Sequence, residues 1–185
     1  MRIAVIIGST RPGRNGLAVA QWVHGLASQR TSAEYELVDL KDFNLPLLDE
    51  PVPPAMSKGY TQEHTKRWAA KVASFDGYVF VTPEYNHGPP ASLKNAMDYL
   101  YREWCNKSAG FVGYGGLGAA RSIEMLRAIC SNLELADVRA AVSLTLAHDF
   151  ENFSTFKPQV HQDRALAQML DQVEAWAGAL GPLRA

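Results

Sequence analysis

At 185 residues, with 47% hydrophobic and 20% charged side chains, the chain has the composition of an ordinary globular protein and enough length to bury one core over residues 1–185. Its net charge of −1 excludes the basic footprint of a nucleic-acid binder, and it lacks the acidity of an electron shuttle that docks by charge. No apolar run approaches the ~18–20 residues of a membrane span, so no membrane partner is expected.

The first apolar run, Ile3–Gly8, reads as a strand buried on both faces, and a helix is expected over about Asn15–Ser28. Tyr35–Leu40 alternates apolar and polar residues and reads as an edge strand. An irregular stretch follows, Lys41–Gly59, with prolines at 46, 51, 53 and 54; a loop of that length is usually functional or faces a partner. Then come a helix near Thr61–Phe75, a buried strand at Tyr78–Thr82 and a helix near Pro90–Tyr101. After them lie a strand at Ala109–Tyr114, a helix near Ala119–Leu133 and a strand at Ala140–Leu146. The last helix carries an apolar stripe of Leu166, Met169, Leu170, Val173, Trp176, Ala177 and Leu180, and Gly181–Pro182 should end it. Five strands alternating with helices predict an α/β fold, a three-layer doubly wound sheet of parallel strands in the flavodoxin-like order 2-1-3-4-5.

Cys105 and Cys130 form neither a CxxC pair nor a metal-ligand cluster and read as reduced thiols. The run Ile3–Ile7 stops at Gly8, short of the ~7–15-residue core of a signal peptide, so a cytoplasmic location is expected. No histidine spacing suggests a metal site.

In a sheet of this order, ligands bind at the carboxyl ends of the strands, between the first and third. The first strand leads into Gly8-Ser9-Thr10-Arg11-Pro12-Gly13-Arg14-Asn15-Gly16, which opens directly onto a helix. Glycines let the backbone approach an anion, hydroxyls and the helix N-terminus donate to it, and Arg11 and Arg14 add charge and bidentate contacts. A terminal phosphate suits this loop. The spacing of Gly8 and Gly13 is that of a P-loop, but Arg14-Asn15 replaces the Lys-Ser/Thr pair, so no Mg²⁺ ligand is available; GxGxxG is absent as well. After the third strand, Thr82-Pro83-Glu84-Tyr85-Asn86-His87-Gly88-Pro89-Pro90 is stiffened by three prolines. Such a rim suits a planar heterocycle with N–H and C=O groups at its edge, and Tyr85 offers stacking area. Gly113-Tyr114-Gly115-Gly116-Leu117-Gly118, after the fourth strand, is placed to close one side of the same pocket.

Pro83-Glu84-Tyr85-Asn86, followed by Pro89 and Leu93-Lys94-Asn95-Ala96-x-Asp98, resembles the NADPH-dependent FMN reductase family, which includes quinone, chromate and azo-dye reductases. Gly8-Ser9-x-Arg11 and the glycines at 115, 116 and 118 support the resemblance, which runs from the first strand to about Leu133. It implies an FMN cofactor, with Ser9, Thr10, Arg11, Arg14, Asn15 and Gly16 at its phosphate and Pro83, Glu84, Tyr85, Asn86, Gly115 and Gly116 at its ring. Relatives often carry serine at 14 and asparagine at 16, so side-chain roles around the phosphate are altered here; serine is also frequent at 88, where Gly88 removes one polar contact to the ring.

The resemblance further implies a two-step, ping-pong reaction. NADPH or NADH gives hydride to N5 of FMN, and a small-molecule electron acceptor then takes its place: a quinone, an azo or nitro compound, or a metal oxyanion. The chemistry belongs to the flavin, so no catalytic side chain is nominated and no metal is expected. A homodimer or homotetramer is implied too, and the aromatic-rich segment Tyr99–Trp104 suits an interface. The alternatives are a flavin-binding electron carrier or redox sensor with little turnover of its own, and a phosphate-ligand binder that takes no flavin.

Overall fold

The computed structural model describes residues 1–184. Its first strand, β1 (Arg2–Ile7), is flanked in parallel by β2 (Glu34–Asp39) and β3 (Gly77–Pro83), and β3 is followed across the sheet by β4 (Lys107–Gly115) and β5 (Leu135–Thr145). The order is β2-β1-β3-β4-β5, the one the alternation of strands and helices predicts. β3 is buried along its whole length, as expected of a central parallel strand covered on both faces.

Side chains alternate across the sheet, so each strand feeds two cores. On one face Ile3, Val5, Ile7, Val79, Val81 and Val112 pack under α1 (Gly16–Ala27) and α5 (His161–Leu180). On the other, Ala4, Ile6, Tyr78, Phe80 and Phe111 meet α2 (Glu63–Ala73), α3 (Ala91–Asp98) and α4 (Ala120–Asn132). Trp68 and Trp104 lie edge-on at 6.1 Å in this second core, and each indole donates to a backbone carbonyl, Ala96 at 2.8 Å and Met97 at 3.2 Å.

Several elements depart from the sequence reading. β5 begins at Leu135 rather than near Ala140; Asp137 and Arg139 interrupt its apolar run, and a register shift opposite Ala109–Phe111 accommodates the early part. α3 ends at Asp98, and turns carry the chain from there to β4. A short antiparallel ribbon, β6 (Phe150–Glu151) with β7 (Thr155–Phe156), was not foreseen. The stretch Lys41–Gly59 is tied down at several points: Asn95 donates to the Pro46 carbonyl at 2.6 Å and accepts from the Leu48 amide at 3.0 Å. Glu50 accepts from the amides of Thr61 and Gln62 just before α2.

On α5, Trp176 is exposed although the stripe includes it. Glu174 is the buried residue of that turn and accepts hydrogen bonds from Arg30, Ser32 and the Tyr35 hydroxyl. These contacts clamp the turn after α1 and the start of β2 to α5. Burial alone would raise the Glu174 carboxyl, but the bonds from Arg30, Tyr35 and Ser32 outweigh it and hold the pKa at about 2. A depressed carboxylate contributes stability above its unfolded pKa and loses it as pH falls toward the folded value. Glu174→Gln is therefore expected to cost about 3 kcal/mol at neutral pH. Denaturant unfolding should show that gap shrinking between pH 4.5 and about 2; a gap independent of pH would contradict the clamp.

Candidate functional site

β1 ends where the Gly8 amide donates to the Val81 carbonyl at 2.9 Å, so the loops after β1 and β3 leave the sheet side by side. A Cβ on Gly8 would lie 3.0 Å from both the Val81 carbonyl and Leu93, which explains the glycine. The chain then turns through Arg11–Arg14, with the Arg14 amide donating to the Arg11 carbonyl at 3.2 Å. Pro12 and Gly13, the latter at φ 67°, are the residues such a turn calls for. α1 starts at once, and Asn15 provides no side-chain cap; its amide side chain instead donates to the Phe153 carbonyl in the β6–β7 turn at 3.4 Å. The first amides of α1 are thus left as donors at the positive end of the helix.

Around this helix end, Ser9 is buried and its hydroxyl pairs with the Tyr85 hydroxyl at 2.9 Å, joining the first loop to the loop after β3. Arg11 is exposed and makes no ion pair among the described residues. Arg14 is largely buried and pairs with Asp39 at the end of β2, while its Nε has no hydrogen-bond partner among the described residues. The Tyr114 hydroxyl, also buried and also unpartnered, lies 2.7 Å from where a Cβ on Gly16 would be. Two buried donors without acceptors at one helix N-terminus match the demands of a phosphate. Thr10 instead lines a cleft of about 290 Å³ on the β2 side, with Leu40, Lys41, Asn44, Ser92 and Asn95.

Beyond Pro83, Tyr85 and Gly88 exchange both backbone hydrogen bonds, at 2.9 and 3.1 Å, around Asn86 (φ 51°) and His87 (φ 70°). Two positive-φ residues between paired neighbours make a tight hairpin turn of the I′ kind. Below it the Thr82 hydroxyl donates to the Pro83 carbonyl at 2.9 Å and pairs with Ser122 at 3.1 Å. The Glu84 side chain has a structural task that the sequence did not disclose. α4 has no side-chain cap, being preceded by Ala119 at φ 58°, and Glu84 reaches over to accept from the Arg121 amide at 3.1 Å and from its Nε at 2.6 Å. A carboxylate from another loop thus caps the helix and complements its dipole. Burial would raise the Glu84 pKa, but Arg121 dominates and holds it below the usual carboxylate range. Glu84 therefore presents backbone, rather than carboxylate, to the space beside the loop.

Gly115 stands against Glu84, with a Cβ there 3.8 Å from the Glu84 Cβ, whereas a Cβ on Gly116 would meet nothing within 4 Å. Gly118 takes φ 62° with Ser143 directly behind it, so the loop after β4 turns sharply into α4. The structure thus assembles Ser9, Arg11, Arg14, Asn15 and Gly16 around one helix end, and Pro83, Glu84, Tyr85, Asn86, Gly115 and Gly116 along an adjacent rim. Ser9–Tyr85 joins the two groups. Sequence reasoning missed Tyr114, Asp39, Arg121 and the β6–β7 ribbon. Tyr114 lay in plain view between two glycines, but nothing in that spacing tells which way its ring points. Among the described residues no cluster of three His, Cys, Asp or Glu could hold a metal, and no helix is long and apolar enough to cross a membrane.

Fold and site together define a doubly wound α/β protein whose loops after β1, β3 and β4 meet at the switch point of the sheet. Residues 1–149 match the family described as NADPH-dependent FMN reductase, and the chain belongs to that family of oxidoreductases, which use NAD(P)H and FMN. It is 44% identical over 149 residues to an NAD(P)H-dependent FMN reductase of Schizosaccharomyces pombe, covering 80% of this chain and 74% of that one. A 2-hydroxy-1,4-benzoquinone reductase of a Burkholderia species is 28% identical over 188 residues, covering 95% of this chain and 96% of that one. Among solved structures, the flavoenzyme NAD(P)H:(acceptor) oxidoreductase of Paracoccus denitrificans aligns with a TM-score of 0.73 at 21% identity, over 96% of this chain and 97% of that one. The fold is flavodoxin-like.

Arg121→Ala removes the cation that holds Glu84 at the α4 N-terminus. It should destabilise the protein by about 1–3 kcal/mol. Amide exchange at Tyr85 and Gly88 should quicken, because Glu84 anchors that turn. Unchanged exchange there would show that Glu84 does not hold the loop.

Proposed function

We propose that this chain is a single FMN-binding domain over residues 1–185, acting as an NAD(P)H-dependent reductase with its flavin phosphate in the Ser9–Gly16 loop and its ring along Pro83–Asn86 and Gly115–Gly116. The observation that carries the proposal is the pair of buried, unpartnered donors, Arg14 Nε and the Tyr114 hydroxyl, beside an uncapped helix N-terminus. FMN held there would supply hydride chemistry at N5, linking NADPH or NADH to a second substrate in a proposed ping-pong cycle.

The chain's own contribution is to bind and orient. Arg11, free of ion pairs among the described residues, supplies charge to the phosphate, and Ser9 and the amides of Arg14–Gly16 supply donors. Arg14 is held by Asp39, so its guanidinium is pre-positioned at the cost of a neutralised charge. The Asn86–His87 turn, with Pro83 and the pinned Glu84 before it, offers backbone groups that need no reorganisation when the ring arrives. Gly116, with open space over its α-carbon, leaves one side accessible. Such access suits a small-molecule electron acceptor: a quinone, an azo or nitro compound, or a metal oxyanion. The Burkholderia relative is a 2-hydroxy-1,4-benzoquinone reductase, which favours the quinone class.

Exposed Leu47, Met56, Leu117, Met125 and Phe153 lie in segments that follow the strands at this end of the sheet and support a homodimer or homotetramer. Free Cys105 and Cys130 support a cytoplasmic location. The net charge of −1 favours turnover with small substrates over the role of a docking electron carrier.

Initial rates with NADPH and a benzoquinone should give parallel double-reciprocal lines; intersecting lines would rule out the two-step cycle. Arg11→Ala should weaken FMN binding roughly tenfold while leaving the melting temperature of the flavin-free protein unchanged. Retained affinity would show that the phosphate lies elsewhere.

A further inference from the structure

We propose that Tyr114 is a ligand-binding residue of the phosphate site, its hydroxyl donating to a phosphate monoester dianion at the N-terminus of α1 and thereby separating FMN from riboflavin. The inference rests on the FMN reading above and extends the site to a residue from the third loop.

Tyr114 is the next-to-last residue of β4 and only 5% exposed. Its side chain belongs to the core beneath α1 and α5, with its ring 6.4 Å from that of Phe150. The ring therefore has an apolar bed that phenylalanine would fill equally well. The hydroxyl is what needs explaining, because it has no hydrogen-bond partner among the described residues. Burying a hydroxyl unpaired is unfavourable, and proteins seldom retain one unless a water or a ligand completes it.

Its position says which ligand. A Cβ built on Gly16, the first residue of α1, would sit 2.7 Å from the Tyr114 hydroxyl and 3.4 Å from the ring carbon that bears it. The hydroxyl thus occupies the space that any larger residue at 16 would take, directly against the helix end. Gly16 and Tyr114 are a matched pair: the glycine admits the hydroxyl, and the hydroxyl gives the helix end one more donor. The paired hydroxyls of Ser9 and Tyr85 lie close by, and the cations of Arg11 and Arg14 face the same region. Burial raises the Tyr114 pKa, so the group stays protonated and acts as a donor. Donors converging on one helix N-terminus with the unpaired Arg11 cation and the free Nε of Arg14 favour an oxyanion over a neutral hydroxyl or an amide.

The test is Tyr114→Phe, with FMN, riboflavin and inorganic phosphate titrated separately into the full-length chain freed of flavin. The FMN Kd should rise about tenfold, the riboflavin Kd should stay within about twofold, and the melting temperature without ligand should hold or increase. Inorganic phosphate should raise the melting temperature of the wild type, and the variant should lose most of that increment. Wild-type FMN affinity in the variant, or proportional weakening of FMN and riboflavin, would overturn the role of Tyr114 while leaving the FMN reading intact. A wild type that binds FMN no more tightly than riboflavin would overturn both.

Discussion

The hydrogen bond from the Gly8 amide to the Val81 carbonyl is the last rung between the first and third strands, and the geometry of the site depends on it. Because β1, β3 and β4 run in parallel register, with Ile7 opposite Val81 and Pro83 opposite Tyr114, three loops leave the sheet at the same level. Each then turns away immediately, through Pro12-Gly13, through Asn86-His87 and through Gly118-Ala119, at backbone angles most side chains avoid. The turns close on their own backbone hydrogen bonds, Arg14 to Arg11, Tyr85 with Gly88 and Gly118 to Gly115, which keeps the three loops short and stiff. Glycine at 8 and at 16 follows from the same closeness, since a Cβ at either place would press on Leu93 or on the Tyr114 hydroxyl.

Buried polar groups with and without partners are unevenly distributed over the fold. Outside the site, the buried charged and phenolic groups have partners: Glu174 takes three donors, the Tyr78 hydroxyl gives to the Val72 carbonyl at 2.8 Å, and buried Lys107 gives to the Val72 and Ala73 carbonyls and to Tyr78; the Thr65 and Thr145 hydroxyls are unpartnered among the described residues. At the first loop, two donors lack partners. A guanidinium N–H and a phenol left unpaired together at one helix end concentrate affinity for an anion there. Rigidity serves the ring loop in the same way. The helix cap that Glu84 provides to α4 is also the anchor that keeps Pro83–Gly88 in place, so helix stability and site geometry rest on one carboxylate.

The strand order and the two principal loops were legible in the sequence because buried parallel strands are short apolar runs, and because glycine and proline mark tight turns by their own stereochemistry. What stayed hidden depended on side-chain direction and on long-range pairing. Asp137 and Arg139 concealed the first half of β5, and the apolar spacing of Trp176 disguised an exposed position while polar Glu174 took the buried one. Arg14 read as a free cation, and only the fold brings it to Asp39. Glu84 read as part of the rim, and only the uncapped start of α4 explains its carboxylate. Tyr114 lay inside a recognised glycine loop, yet the depth of its hydroxyl beneath Gly16 is a property of packing.

The central claim is that the carboxyl edge of this sheet holds FMN in a form that NAD(P)H can reduce. The most direct measurement is anaerobic stopped-flow mixing of the FMN-loaded protein with NADPH and, separately, with NADH, followed in the visible flavin band. Bleaching within seconds by at least one nucleotide, with colour restored on addition of a quinone, is the predicted result. A flavin band that survives both nucleotides unchanged would contradict it.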